Sequence, residues 1–498
     1  MDVKLTPEDI QNIIQSTLDS VGDAASSNYS LPIKPLKLER VDYLQDKGLA
    51  QQAKTTKTLV IGGVAAGMSA ASKLKRANRE SKVTVYERGE RPSYGACGLP
   101  YYLSGDNDDY RKMIIRTEEE FSQMGIKVFT RHEVLQIDPN QKQVVVKDLA
   151  NNRTFTDSYD SLMIATGASP ILPSIPGVQL GNIYTLKTIE DGVGIKKVLD
   201  NPKTQNIVVV GGGYIGIEVV DAILQLGKNI RLIELSDSIL ANFDFEITDI
   251  ALQHLRDKGA NLNLGEKVER FVGIDNVEVV QTNKGNYHAD LVILAVGVKP
   301  ETEFLNDSGI NLAKNGAIVV DREMKTNIDS VYAAGDCAQV YNAITQGNDF
   351  IPLGTNANKC GRLAGENIAG RNSKHIGTLG SAAIKVCELE LGRTGLSESQ
   401  AKNLGVEYTA VFVQSFDRPK YYPAPTQIWV KLICEKVTKR ILGAQAIGNK
   451  GAVLRINTFA VAIHNKMSAD MLGMADLVYA PPFSGVWDVI HIACNAVK

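Results

Sequence analysis

Ile207-Val208-Val209-Val210-Gly211-Gly212-Gly213-Tyr214-Ile215-Gly216 sets the architecture of this chain. Four apolar residues in a row suit a strand buried on both faces, and glycines spaced G-x-G-x-x-G turn the backbone sharply into a helix. Gly211 permits the tight turn, Gly213 lets the backbone approach a pyrophosphate, and Gly216 allows the helix to pack closely. The helix is predicted to run through Leu226, and the next strand, Ile230-Arg231-Leu232-Ile233, ends in Glu234. A carboxylate there can accept from both hydroxyls of an adenosine ribose and repels a 2′-phosphate, which favours NADH, with NADPH as the alternative.

The same unit occurs upstream as Leu59-Val60-Ile61, Gly62-Gly63-Val64-Ala65-Ala66-Gly67, a helix through Arg76, and Val83-Thr84-Val85-Tyr86-Glu87. Val64 takes the middle-glycine position, while Gly62 and Gly67 keep the spacing and Glu87 supplies the ribose acceptor. Each unit is followed by a strand ending in small residues, Leu162-Met163-Ile164-Ala165-Thr166-Gly167 and Leu291-Val292-Ile293-Leu294-Ala295-Val296-Gly297, where the chain is expected to cross between domains. Val331-Tyr332-Ala333-Ala334-Gly335-Asp336 ends a further strand in an aspartate placed to meet a ribityl chain. The expected fold is α/β: two nested Rossmann-like domains, 58–168 with 291–374 and 169–290, followed by a C-terminal α+β interface domain over 375–498.

Composition narrows the function. Lys plus Arg (54) nearly balance Asp plus Glu (56) over 498 residues, so no global field draws the chain to nucleic acid or an anionic membrane. No stretch approaches the roughly 20 apolar residues of a spanning helix, and a cytoplasmic protein is expected. The six cysteines show neither CxxC nor zinc spacing, and five of them are expected to be buried packing residues. The sixth, Cys97, lies in Ser93-Tyr94-Gly95-Ala96-Cys97-Gly98-Leu99-Pro100-Tyr101-Tyr102, just beyond the first glycine unit. A helix is predicted from Gly98 or Leu99 with Pro100 in its first turn, which would set Cys97 at a positive dipole end that lowers its pKa. At the amino end, Thr6-Pro7-Glu8-Asp9 caps an amphipathic helix over 1–22, and 23–57 reads as a linker or arm.

The order of glycine loop, Ala-Thr-Gly, second glycine loop, Ala-Val-Gly and Tyr-Ala-Ala-Gly-Asp resembles the FAD-dependent pyridine nucleotide-disulfide oxidoreductases over almost everything after the arm. The resemblance implies FAD contacts at Gly62, Gly63, Ala65, Gly67, Glu87, Arg88, Val134, Thr166, Gly167, Gly335, Asp336 and Ala357. It implies NAD contacts at Gly211, Gly213, Tyr214, Ile215, Gly216, Glu218, Glu234 and Gly297. Most disulfide reductases of this superfamily carry a second cysteine five residues on, and that position is Tyr102 here, which leaves the single-cysteine branch: coenzyme A-disulfide reductases, NADH oxidases and NADH peroxidases. Ala65 stands where the peroxidases and water-forming oxidases usually carry a histidine. Tyr421-Tyr422-Pro423 and Tyr479-Ala480-Pro481-Pro482 resemble coenzyme A-disulfide reductase segments that present two tyrosines, here Tyr421 and Tyr479, to the neighbouring subunit's site.

Coenzyme A disulfide is therefore the expected substrate of a homodimer, reduced through a Cys97 mixed disulfide with Tyr421 or Tyr479 as proton donor. Ser69, Lys73, Arg76 and Ser93 match the family's substrate contacts, and Asn358 belongs to the similar segment Gly354-Thr355-Asn356-Ala357-Asn358-Lys359. Ser69, Lys73 and Arg76 fall on one helix face, suited to phosphate. Gly125 and Trp487 stand where the family can carry basic residues, so a persulfide or polysulfide remains an alternative, as does an oxidase or peroxidase using a Cys97 sulfenic acid. The helix 1–22 resembles encapsulation peptides that carry enzymes into bacterial microcompartments; the alternative is a helix that docks on its own enzyme.

Overall fold

The computed structural model describes residues 55–498, so the helix predicted over 1–22 and nearly all of the arm lie outside the described residues. The first sheet has five parallel strands, in the order Val331–Ala333, Ser161–Ile164, Lys57–Ile61, Lys82–Tyr86 and Ile126–Phe129. Leu59, Val60 and Ile61 are buried on both faces, as an all-parallel central strand requires. Its outermost strand, Val331–Ala333, arrives only after the second glycine unit has been built, which nests one domain inside the other.

The second sheet repeats the plan, in the order Asn261–Asn263, Asn229–Ile233, Asn206–Val210, Leu291–Leu294 and Ile183–Thr185, again all parallel. The chain passes between the two sheets through the antiparallel pair Ala168–Pro170 and Val298–Pro300. Thr166 locks this crossing by donating its hydroxyl to the Glu301 carbonyl at 2.6 Å.

The C-terminal domain is a five-stranded antiparallel sheet with the helix Ala452–His464 packed on it through Ile456, Phe459 and Ile463. This is the expected α/β architecture with its α+β third domain. One finding lay beyond sequence reading: the hairpin of strands Ala382–Val386 and Leu389–Gly395 enters the core of the second domain. Ile384, Val386 and Leu391 share one buried cluster with Ile217 and Val220 and with Leu99 and Leu103 beside Cys97. No helix among the described residues is long and apolar enough to cross a membrane.

Candidate active site

The two glycine loops are built alike. Gly62 and Gly211 both have left-handed φ (100° and 106°), and a Cβ on either would come within 2.2 Å of the Ala165 carbonyl oxygen or 2.4 Å of the Ala295 carbonyl oxygen. The small-residue strand ends are thus what each tight turn leans on. A Cβ at Gly67 or Gly216 would lie 1.9 Å from the carbonyl oxygen of Gly62 or Gly211, so the helices Ala65–Ala77 and Tyr214–Gln225 start in contact with the turn. Gly213 differs: a Cβ there meets nothing within 4 Å, leaving the backbone open to a diphosphate.

The strand-end acids fold back onto these loops. Glu87 accepts from the Gly63 and Gly89 amides, each at 2.6 Å, and Glu234 accepts from Gly212 at 2.5 Å and Ser236 at 2.7 Å. A carboxylate has about four acceptor positions, so each keeps capacity for ribose hydroxyls. Both loops therefore fit a dinucleotide. Around the first, Arg88 reaches Glu133 (3.6 Å) and Glu301 (3.7 Å), Val134 is buried beneath, and Ala357 lies in the first turns of the helix Gly354–Ile368. Gly167 and Gly297 turn with positive φ at the two crossings. Around the second loop, Gly213 caps the helix, Tyr214 opens it with a buried hydroxyl that has no hydrogen-bond partner, and Ile215 follows half-buried.

Cys97 sits in a short 3-10 turn, Ala96–Gly98, ahead of the helix Leu99–Ser104, which has Pro100 in its first turn as predicted. Ser93 ties this loop to the first glycine unit, its amide donating to the Gly63 carbonyl at 2.8 Å. Of the six cysteines Cys97 alone is exposed; the other five are buried, in line with their reading as packing residues.

The expected lowering of the Cys97 pKa is corrected by its surroundings. Partial burial of the thiol pushes its pKa up, and the carboxylates of Glu218 and Asp336 push the same way, against the Lys187 ammonium and a backbone hydrogen bond. The helix that follows has only six residues, too short for a strong dipole to outweigh two carboxylates. Lys187 and Asp336 themselves lie 3.6 Å apart.

The expected substrate face is also changed. Ser69 donates to Asn358 Oδ1 at 2.8 Å, which joins two of its members. Lys73, however, is paired with Glu366 at 2.7 Å and does not present a free ammonium; Arg76 is exposed. The pairing arises because Gly361 and Gly365 let the helix Gly354–Ile368 lie directly on Ala66 and Ala70, which brings Glu366 over Lys73. Tyr421 and Tyr479 form a pair of their own on the C-terminal domain, hydroxyls 3.1 Å apart, and the stretch of chain that carries Tyr479 also exposes Val478, Phe483, Val486 and Trp487. Lys187, Tyr101 and Glu366 had no sequence signal: each acquires its neighbours only through tertiary packing.

Residues 56–347 match the pyridine nucleotide-disulphide oxidoreductase model, and residues 381–489 match the dimerisation domain of the same proteins. A CoA-dependent NAD(P)H sulfur oxidoreductase of Pyrococcus abyssi is 38% identical over 89% of this chain and 99% of its own length. An NADH oxidase of Enterococcus faecalis is 35% identical over 88% of this chain and 99% of its own. The water-forming NADH oxidase of Lactobacillus brevis, solved with NADH bound, superposes with a TM-score of 0.86 at 33% identity, covering 89% of this chain and 98% of that one. FAD and a nicotinamide dinucleotide are the cofactors of this architecture. With its two dinucleotide loops, one exposed cysteine and a dimerisation domain, the chain belongs to the single-cysteine branch of the pyridine nucleotide-disulfide oxidoreductases.

Proposed function

We propose that this protein reduces coenzyme A disulfide, or a closely related low-molecular-weight disulfide, with electrons from NADH and through Cys97 alone. One observation carries the reading: the exposed thiol beside Asp336 and Lys187 is the only accessible one of the six, so its disulfide partner must come from outside the chain. The CoA-dependence of the Pyrococcus abyssi relative is in keeping with that partner.

The Cys97 thiolate attacks one sulfur of the disulfide; an S–S bond to Cys97 forms as the original one breaks, and one thiolate leaves and takes up a proton. Tyr479 or Tyr421, reaching the site from the second subunit of a homodimer, supplies that proton. Gly213 and Glu234 would hold NADH, and Gly62, Glu87 and Asp336 would hold FAD, which when bound would supply the two-electron link from NADH to the Cys97 mixed disulfide. Two electrons delivered there break the S–S bond, free the second thiolate and leave Cys97 as the thiolate. Ser69, Asn358, Ser93 and Arg76 position the nucleotide tail of the thiol.

A persulfide is the second reading, favoured by the pairing of Lys73 with Glu366, which takes one cation away from the phosphates of coenzyme A. Intact mass of the purified protein tests the first: a coenzyme A adduct that disappears in Cys97→Ser supports it, and a sulfenic acid on Cys97 points to peroxide or oxygen chemistry. The segment 1–22 adds delivery to a microcompartment. Fused to a fluorescent protein, it is expected to give puncta in shell-producing cells, and a diffuse signal rejects that role.

A further inference from the structure

Arg455 lies in the first turn of the helix Ala452–His464, where a cation gains nothing from the helix dipole. Its side chain is only 12% exposed, and its guanidinium gathers two other stretches of chain. Nε donates to the Asp488 carboxylate, at 2.9 Å to Oδ2 and 3.1 Å to Oδ1, and Nη2 reaches the same Oδ2 at 2.7 Å. Nη2 also donates to the Asp417 carbonyl at 3.0 Å and to the Phe483 carbonyl at 3.3 Å, while Nη1 returns to the Gly451 carbonyl at 3.2 Å.

Those two stretches carry the tyrosine pair. Asp417 and Thr426 form the base of the loop that presents Tyr421, between the strands Tyr408–Phe416 and Gln427–Glu435. The Asp417 amide donates to the Thr426 carbonyl at 2.9 Å, and the Thr426 amide donates to Asp417 Oδ1 at 2.8 Å. Phe483 closes the turn that follows Tyr479, its amide donating to the Ala480 carbonyl at 2.9 Å. Asp488 also caps the last helix, Val489–Asn495, by accepting from the Ile490 amide at 3.0 Å. The two phenols themselves meet at the surface, Tyr421 being 74% and Tyr479 45% exposed. A neutral hydrogen bond that competes with water there is too weak to fix two loops against each other.

We propose that Arg455 is a positioning residue for the two tyrosines: it clamps the base of the Tyr421 loop to the turn after Tyr479, so that the phenols are held at hydrogen-bond distance. Arginine suits the task because its planar fork directs several donors along fixed lines, and here they meet one carboxylate and two carbonyls. No bond changes at Arg455 and it gives up no proton. Its effect on turnover therefore passes only through the pair. The inference rests on the reading of Tyr421 and Tyr479 as proton donors to the departing thiol, and adds what holds them in place.

The test is Arg455→Lys, which keeps a cation opposite Asp488 but cannot span both carbonyls, in the FAD-loaded enzyme with coenzyme A disulfide as the anaerobic acceptor. Alone, it is expected to lower kcat roughly tenfold with KM little changed. Added to Tyr421→Phe/Tyr479→Phe, it should lower kcat no further, because the pair it acts through is already gone. Reduction of the flavin by NADH should match the wild type throughout. If Arg455→Lys does not fold, Asp488→Asn, which loosens the anchor of the same guanidinium, takes its place with the same expectations. With slow tyrosine variants, wild-type turnover in Arg455→Lys, an equal loss in both backgrounds or slowed flavin reduction would overturn the positioning role and leave the tyrosines in theirs. Tyrosine variants as fast as the wild type, or a wild type that ignores the disulfide, would overturn the reading of the pair and this inference with it.

Discussion

Lys187 Nζ lies 3.6 Å from Asp336 Oδ2, joining the segment after strand Ile183–Thr185 to the Gly335–Asp336 turn of the first domain. The two groups act on Cys97 with opposite sign: Asp336 raises its pKa and Lys187 lowers it. Removing the cation must therefore raise the thiol's pKa. Lys187→Met is expected to slow alkylation of reduced Cys97 at pH 8 by roughly tenfold, with Lys187→Arg close to the wild type. Equal rates in all three would mean that Lys187 does not act on the sulfur.

The two glycines of the second loop should respond in opposite ways. Gly213 has φ of −76° and open space where a Cβ would go, so Gly213→Ala should change stability by no more than about 1 kcal/mol. Its effect should appear as a several-fold rise in the KM for NADH, because the new methyl occupies the approach to the diphosphate. Gly216→Ala, with its Cβ 1.9 Å from a carbonyl oxygen, should cost several kcal/mol and be seen first in the melting curve. An unchanged KM in Gly213→Ala would place the diphosphate elsewhere.

Lys431 fixes the second domain to the C-terminal sheet. Its side chain is almost fully buried, with Glu246 at 2.8 Å, Glu398 at 2.5 Å and Asp244 at 3.7 Å, and Gln445 bonds Asp244 beside it. Lys431→Met strands these carboxylates and is expected to cost about 3 kcal/mol in chemical denaturation. Hydrogen bonding to Lys431 holds the Glu398 carboxyl below the usual carboxylate range. The stability it contributes is therefore present above the usual carboxylate pKa and lost as pH falls through the lower, folded value. The wild type should lose this increment on acidification, and Lys431→Met should show a flatter acid limb.

Tyr421 and Tyr479 share a hydrogen bond that raises the Tyr421 pKa and keeps its phenol protonated. If the pair supplies the proton for the departing thiol, Tyr421→Phe and Tyr479→Phe should each lower disulfide turnover by about 10- to 100-fold. The double variant should be little worse, since either change breaks the same pair. Anaerobic reduction of the flavin by NADH should be unaffected. Unchanged disulfide turnover would remove the tyrosines from the chemistry.

Local rules made the glycine loops legible. Gly62, Gly67, Gly211 and Gly216 are demanded by contacts within a few residues of themselves or with the next crossing strand, and Glu87 and Glu234 each end the strand that follows their own glycine-loop helix. Cys97 stood out because it had no partner cysteine. Its ionisation was not legible, because Glu218, Asp336 and Lys187 reach it from three separate stretches of chain, and the sign of their sum depends on distance and burial. The same holds for Lys73: helical periodicity placed it on the expected face, but Glu366, which neutralises it, comes from a helix almost 300 residues later.

The most direct measurement is anaerobic NADH oxidation by the FAD-loaded enzyme with coenzyme A disulfide as sole acceptor, with the thiol released counted against NADH. Two thiols per NADH, absent in Cys97→Ser, is the expected result. NADH oxidation that requires oxygen, ignores the disulfide and releases no thiol would contradict it.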